Sequence, residues 1–208
     1  MKRLYLLRHG QTEFNVKKLV QGRCDSPLTD LGRQQAQAAA TWLKAHGVVP
    51  DKVVSSPLGR AMATASLVAT ELLGADADVE PCEGIIERCY GTFEEGPHDA
   101  LPTDVWDPGE DLIPFGGEGS RALQERMVGA LANFMGSEGI ETLLAVSHGS
   151  ASRQFIKAAA PEGFELPTKL ANCAIMIFNF DEAKPRAEGE PMKCKFTLQQ
   201  IVDPQQSN

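Results

Sequence analysis

The chain has 208 residues, of which 42% are hydrophobic and 23% are charged, and it carries a formal net charge of −8. This mix is typical of a globular protein that is long enough to bury one continuous core. The acidic balance and the lack of any run of Lys or Arg argue against a nucleic-acid partner and against binding to an anionic membrane surface. Any site for an anion must therefore concentrate positive charge locally.

The cysteines are scattered, odd in number and without a CxxC pair: Cys24, Cys82, Cys89, Cys173 and Cys194. This pattern predicts free thiols in a reducing compartment rather than a disulfide framework. The apolar run at residues 4–7 is too short for a signal peptide or a membrane span. We therefore expect a cytoplasmic protein.

The first half of the chain alternates short apolar strands with helices. Residues 3–8 are predicted to form a buried strand, and residues 29–46 a helix with Thr29 as N-cap and Gly47 at its end. Within this helix, the residues that recur at helical spacing are Leu31, Gln35, Ala38, Trp42 and Ala45.

A second strand is predicted at residues 53–54 and a third at residues 78–82, with a helix over residues 57–73 between them. Ser56 and Pro57 are a start signal for that helix. A serine side chain can cap the free N–H groups, and proline fits the first turn.

Residues 91–118 form a long irregular segment, here called the excursion. It holds four prolines and several glycines, and a loop of this length inside a compact domain is usually functional. Between Gly91 and Ser120 there are eight acidic residues and no Lys or Arg. Its large apolar residues are predicted mainly to pin the segment to the core, with one or two lining a pocket for a neutral or apolar group: Phe93, Trp106, Ile113 and Phe115.

The second half of the chain continues the alternation. Its predicted elements are a helix over residues 119–136, a strand over 141–147, a helix after Gly149, and strands over 173–180 and 194–202 joined by a polar loop. Short apolar strands that alternate with helices predict a single α/β domain over residues 1–208. Its architecture should be a three-layer α/β/α sandwich around a mainly parallel sheet.

Basic residues follow the ends of several predicted strands. Arg8 and His9 leave the first strand, and His148 leaves a later one just before a helix. Arg60 lies in the first turn of the helix after the second strand. Ligands of such sheets bind beyond the carboxyl ends of the strands, where helix N-termini and guanidinium groups both favour phosphate oxygens. The sequence therefore predicts a phosphate-binding crevice.

Each residue also has a structural interpretation. A lone histidine is more often structural than catalytic, and we give that interpretation to His46, in the last turn of a helix, and to His98, in an acidic loop. A Zn or Fe site built from His9, His148 and a carboxylate is a further alternative. Arg8 beside His9 would repel a cation, and the chain has no HxH, HExxH or spaced Cys set. We therefore expect no metal and no cofactor.

Five short motifs occur one after another along the chain, and such an ordered set is far more specific than any one of the motifs alone. They are Arg8-His9-Gly10-Gln11-Thr12 with Asn15, Gln21-Gly22 through Thr29, Ser55 to Arg60, Glu87 to Gly91, and Ser147-His148-Gly149. Together they resemble the motifs of the histidine phosphatase superfamily, the phosphoglycerate mutase-like proteins, and Gly116-Gly117-Glu118 with Arg126 is also typical of it. The resemblance implies a phosphoglycerate mutase-like fold in which the excursion covers the active site like a lid.

The resemblance also implies roles for the site residues. A neutral His9 would attack phosphorus and become a phosphohistidine. Arg8 and Arg60 would hold down the pKa of His9 and stabilise the charge on the phosphoryl oxygens. A protonated His148 would add to this effect and donate to a phosphate oxygen. Asn15 would also bind phosphate.

Glu87 is implied as the acid that protonates the leaving alkoxide and then accepts a proton from water. Glu83, Glu94 and Glu95 lie nearby in the sequence, and any of the four could be a surface carboxylate. Glu87 is the preferred candidate because the residues around it match the motif of the family. The resemblance places Gln21, Gly22, Tyr90 and Gly149 on the substrate side of the site.

Three functions fit these residues. The first is a phosphomonoester hydrolase for a small phosphorylated metabolite, the second a 2,3-bisphosphoglycerate-dependent phosphoglycerate mutase, and the third a catalytically inactive phosphate-binding module. The mutases carry an arginine pair in the corresponding segment, which holds the substrate carboxylate. This excursion has acidic residues and no Lys or Arg, so burying a second anion there would be costly. Tyr90 is the feature that resembles the mutases. We expect a phosphatase whose substrate carries one phosphate and little other negative charge, with inorganic phosphate or sulfate able to occupy the pocket.

Overall fold

A computed structural model describes residues 1–160, 164–167, 169–181 and 195–206. Over these ranges the chain forms one six-stranded sheet and five α-helices. The strands are β1 (Lys2–Arg8), β2 (Lys52–Ser55), β3 (Glu80–Pro81), β4 (Thr142–Ser147), β5 (Ile175–Asp181) and β6 (Lys195–Val202). The helices are α1 (Glu13–Lys17), α2 (Asp30–Ala45), α3 (Gly59–Leu73), α4 (Ser120–Met135) and α5 (Gly149–Ala159).

The sheet is mainly parallel, which confirms the predicted fold class. Its strand order is β3-β2-β4-β1-β5-β6. The pairs β2–β3, β2–β4 and β1–β4 are parallel, and β5 and β6 extend one edge as antiparallel strands. Because Arg8 lies opposite Ser147 and Ser55 lies opposite Val146, the strands β1, β2 and β4 end at one edge of the sheet.

A separate hydrophobic core covers each face of the sheet and produces the three layers. On one face, Leu6 of β1 belongs to a cluster with Phe155 of α5 and several residues of α4. On the other face, Leu7 of β1 belongs to a cluster with Leu43 of α2 and Val68 of α3. Burying each side chain of this size contributes about 1.5–3 kcal/mol.

Helix α2 begins after Thr29, whose side chain accepts a hydrogen bond from the N–H of Gly32, as predicted. Its buried face differs from the stripe at helical spacing, because only Gln35 of those five residues is buried. The buried stripe is instead rich in small residues that allow close packing on α3: Gly32, Ala36, Ala39, Ala40 and Leu43.

Helix α3 begins later than the sequence predicts, and its predicted cap is wrong. The N-cap is Leu58, which makes no side-chain cap bond, and the helix starts at Gly59. Ser56 therefore precedes the cap position, and its hydroxyl accepts only a long hydrogen bond of 3.4 Å from the N–H of Leu58. The same hydroxyl lies 2.6 Å from Nε2 of His148, a long-range contact that the sequence pattern does not indicate.

The excursion is irregular, as predicted, with short 3-10 turns at Gly91–Phe93, His98–Ala100 and Ile113–Phe115. It packs on a small cluster of its own that includes Val20, Tyr90, Leu101 and Leu112. The rings of Phe93 and Phe115 contact each other with centroids 5.0 Å apart, and Ile113 is exposed.

Residues 182–193 of the polar loop predicted between the last two strands lie outside the described residues, as does Cys194, the first residue of the strand predicted after it. The other four cysteines are free thiols. Among the described residues, no helix combines the length and the apolar character needed to span a membrane.

Candidate active site

The ends of β1, β2 and β4 open into a pocket. Nine of the ten predicted site residues line it: Arg8, His9, Asn15, Gln21, Gly22, Arg60, Glu87, Tyr90 and Gly149. The tenth, His148, is fully buried beside His9, with ring centroids 5.2 Å apart. Residues far apart in the chain are therefore brought together by the sheet, as the sequence predicts.

His9 lies directly after β1, and its ring has a fixed orientation. Nδ1 lies 2.7 Å from the backbone carbonyl oxygen of Gly10. Because a carbonyl only accepts, Nδ1 carries the proton and Nε2 keeps a free lone pair. Burial, together with the charges of Arg60 and Arg8, holds the pKa of His9 well below its ordinary value. His9 is thus neutral, in the tautomer that leaves Nε2 nucleophilic.

His148 is the N-cap residue of α5, and its imidazole is also neutral. Burial, followed by the charge of Arg60, lowers its pKa well below the ordinary value. The expected protonated His148 is therefore wrong, because two nearby arginines and a buried position disfavour a further cation. Its Nδ1 is buried without a hydrogen-bond partner among the described residues.

Arg8 is buried where β1 ends. Its Nη1 donates to the carbonyl oxygen of Leu170, and its Cζ lies 5.1 Å from the centroid of the Trp106 ring. Burial lowers its pKa to about 10, so Arg8 remains a cation at neutral pH. Its Nε is buried and makes no hydrogen bond within the described part of the chain.

Arg60 is held by a turn that precedes it by almost forty residues in the chain. Its Nη2 donates to the carbonyl oxygen of Gly22 at 2.7 Å, and its Nη1 donates to the carbonyl oxygen of Cys24 at 2.7 Å and to Oδ1 of Asp25 at 3.1 Å. Its buried Nε has no partner in the residues described. Arg8 and Arg60 thus each keep an unused donor.

Glu87 is almost fully buried at the N-terminus of α5. Oε1 accepts hydrogen bonds from the N–H groups of Arg88 and Ala151, each at 2.8 Å, and Oε2 accepts one from Ser150 at 3.1 Å. These bonds satisfy free N–H groups of the helix and fix the carboxylate plane. The main chain is fixed as well, because Arg126 donates to the carbonyl oxygen of Glu87 at 3.1 Å.

Asn15, Gln21 and Tyr90 also line the pocket, and each is fixed by hydrogen bonds. Asn15 forms a capping box with Thr12 at the start of α1, and its Oδ1 accepts from the Thr12 N–H at 3.2 Å. Gln21 is fixed by the Thr12 hydroxyl, which donates to Oε1 at 2.9 Å. Tyr90 is buried and donates its hydroxyl hydrogen to the carbonyl oxygen of Val105 at 2.7 Å.

The structure also shows which residues around the site the sequence motifs left open or missed. His98, given a structural interpretation, lines the pocket, and its Nε2 lies 3.2 Å from the carbonyl oxygen of Leu19. Of the four apolar residues noted in the excursion, Trp106 is the one in the wall. Asn172, which no motif indicates, donates to the carbonyl oxygen of His9 at 3.1 Å. Within the described residues, no group of three or more His, Cys, Asp and Glu side chains is arranged to hold a metal ion.

Arginines, neutral histidines and a carboxylate meet at one edge of the sheet. This combination is typical of α/β enzymes that act on phosphate groups. The model of the histidine phosphatase superfamily (branch 1) matches residues 4–190. The chain therefore belongs to the histidine phosphatase superfamily.

Known relatives include enzymes of both kinds considered above. The chain is 33% identical over 199 residues to a probable phosphoglycerate mutase, GpmB, of Escherichia fergusonii, covering 91% of this chain and 90% of that protein. It is 33% identical over 158 residues to a broad-specificity phosphatase of Saccharomyces cerevisiae, covering 74% and 69% of the two chains. A solved mycobacterial glucosyl-3-phosphoglycerate phosphatase superposes with a TM-score of 0.76 at 25% identity, covering 96% of this chain and 98% of that one.

Proposed function

We propose that this protein is a cytoplasmic phosphomonoesterase that hydrolyses a small phosphorylated metabolite through a phosphohistidine at His9, without a metal ion. One observation carries the proposal: a neutral His9 with its Nδ1 proton fixed on Gly10, beside two buried arginines. The whole chain acts as a single domain in which the excursion forms a lid.

In the first half-reaction, Nε2 of His9 attacks phosphorus while the ester P–O bond breaks. Glu87 gives its proton to the departing alkoxide, and the alcohol leaves. The unused Nε donors of Arg8 and Arg60 stabilise the charge that spreads over the phosphoryl oxygens.

In the second half-reaction, water attacks the phosphohistidine. Glu87 accepts a proton from this water, the N–P bond breaks, and inorganic phosphate leaves with His9 restored. Asn15 and the Nδ1–H of His148 donate to phosphate oxygens in both steps. The hydroxyl of Ser56 donates to Nε2 of His148, so that the imidazole proton lies on Nδ1.

The pocket beyond the phosphate site is suited to a leaving group with little negative charge. Gln21, Gly22, Tyr90 and Gly149 line the substrate side, and the wall supplied by Leu19, Val20, Val105 and Trp106 is apolar or aromatic. Among the residues that line the pocket, the excursion supplies no Lys or Arg that could bind a second phosphate or a carboxylate. We therefore propose a substrate with one phosphate on an otherwise uncharged or apolar alcohol.

A phosphoglycerate mutase is the second candidate, because several relatives carry that name as a probable function. A mutase must hold the carboxylate of phosphoglycerate and return the phosphoryl group to the substrate. The lack of Lys and Arg between Gly91 and Ser120 disfavours this activity.

A panel of phosphate esters tests the proposal. We expect neutral monoesters to be hydrolysed with a higher kcat/KM than 3-phosphoglycerate, and we expect EDTA to leave the rates unchanged. Interconversion of 2- and 3-phosphoglycerate, measured by NMR, should be slower than hydrolysis. A preference for 3-phosphoglycerate, or loss of activity with EDTA, would contradict the proposal.

Acid is expected to destabilise the fold through its two buried histidines. The pKa values of His9 and His148 lie well below the ordinary value of 6.5 in the folded chain. Below that value the unfolded chain binds protons that the folded chain does not bind, so the free energy of unfolding falls as the pH falls. Between about pH 7.5 and about pH 5.5, Tm should therefore drop less in His148→Asn than in the wild type. The control is His46→Asn, at an exposed histidine, for which Tm should drop as much as in the wild type. An equal drop in Tm in all three proteins would contradict the argument.

A further inference from the structure

Glu94 is one of several carboxylates for which the sequence allows a surface position. In the structure it is half-buried and accepts hydrogen bonds from two separate segments. Oε1 accepts from the N–H of Arg23 at 3.0 Å and from the N–H of Tyr90 at 2.9 Å. Oε2 accepts from the N–H of Cys24 at 3.2 Å and from its thiol at 3.3 Å. One carboxylate thus joins the start of the excursion to the turn at residues 22–25.

The same turn holds Arg60 from its opposite side. The carbonyl oxygens of Gly22 and Cys24 accept from the guanidinium, while the N–H groups of residues 23 and 24 face Glu94. The peptide group between Gly22 and Arg23 therefore lies between an anion and a cation, with its dipole aligned favourably toward both. Arg60 depends on this turn for its orientation, because its Nη1 and Nη2 atoms donate to it.

Packing leaves the turn little freedom to move. Gly22 has φ +52, a conformation that favours glycine, and a Cβ at this position would collide with the Glu94 carboxylate. The backbone beside Glu94 is fixed by two hydrogen bonds: the N–H of Glu95 donates to the carbonyl oxygen of Val20, and the N–H of Val20 donates to that of Gly96, each at 2.8 Å.

We infer that Glu94 is a positioning residue for the phosphate site, which it serves by holding the 22–25 turn that orients the Arg60 guanidinium. The inference rests on the proposed function, in which Arg60 binds the transferring phosphoryl group. Glu94 itself is not one of the residues that line the pocket.

Inhibition by orthovanadate, a mimic of the transferring phosphoryl group, tests the inference. Glu94→Gln keeps the size of the side chain but turns one acceptor into an NH₂ group that faces N–H donors. We expect it to weaken vanadate inhibition and to lower kcat/KM by about 10- to 100-fold, since small displacements of a binding group have effects of this size. Asp99→Asn removes one negative charge from an exposed position of the same excursion and should leave both values unchanged.

A double-mutant cycle separates positioning from general damage. If Glu94 acts through Arg60, Glu94→Gln should weaken vanadate binding by no more than about twofold in an Arg60→Ala background. The reason is that the effects of two substitutions are not additive when both residues contribute to one interaction. Gly22→Ala displaces the turn by another route and should reproduce the Glu94→Gln effect, which decides the matter if Glu94→Gln does not fold. Equal losses in both backgrounds, or wild-type inhibition of Gly22→Ala, would overturn this inference alone. Unchanged inhibition in Arg60→Ala would instead defeat the proposed function, and the inference with it.

Discussion

Replacing His9 with alanine is expected to abolish turnover of phosphate esters and to prevent formation of a phosphoenzyme. The imidazole is the nucleophile of the proposed reaction, and its Nε2 is the atom that the hydrogen bond to Gly10 leaves unprotonated. Loss of a nucleophile costs roughly 10⁴-fold or more in rate. The measurements are kcat/KM on an aryl phosphate, and ³¹P NMR of protein quenched in base, where a phosphoramidate survives.

The control for this variant must show that the pocket survives. Arg8 and Arg60 remain in His9→Ala, so inorganic phosphate should still raise its Tm. His46→Ala removes an exposed histidine at the end of α2 and should leave activity intact. Turnover in His9→Ala within tenfold of the wild type would remove the nucleophile assignment.

Glu87→Gln is expected to lower kcat/KM by about 10²–10⁴-fold on alkyl phosphates, the range of general acid catalysis. The amide cannot protonate the leaving alkoxide, so the loss should depend on the leaving group. With an aryl phosphate such as p-nitrophenyl phosphate, whose leaving group needs no proton, the loss should be much smaller. The measurement is kcat/KM for a series of esters whose alcohols differ in pKa. This quantity reports the steps up to release of the alcohol and is independent of the later hydrolysis of the phosphohistidine, in which Glu87 also acts.

This dependence distinguishes chemistry from structure. Glu87 also accepts three backbone hydrogen bonds, two of them from the start of α5, so Gln at this position could disturb the helix terminus. Such damage would lower the rate on every ester equally. Glu83→Gln, at an exposed carboxylate four positions earlier, should change neither the rates nor their slope. A loss of kcat/KM in Glu87→Gln that is the same for every ester would contradict the general-acid role.

The sequence determined the elements of this protein and the residues that meet in the pocket. Strand β1 and helix α2 are encoded by local patterns of apolar residues and caps, and a parallel sheet brings the ends of such strands to one edge. For this reason the amino-acid sequence alone predicts that Arg8, His9 and Arg60, each next to a strand or helix end, lie together.

Only the tertiary structure decided the chemical state and the support of these residues. His148 is neutral because burial and arginines from other segments act on it, and no local pattern encodes that sum. Ser56 contacts a histidine at the end of another strand instead of capping its own helix, and Glu94 binds donors in a turn about seventy residues away. Contacts of this kind depend on distances across the fold, which local propensity and spacing do not contain.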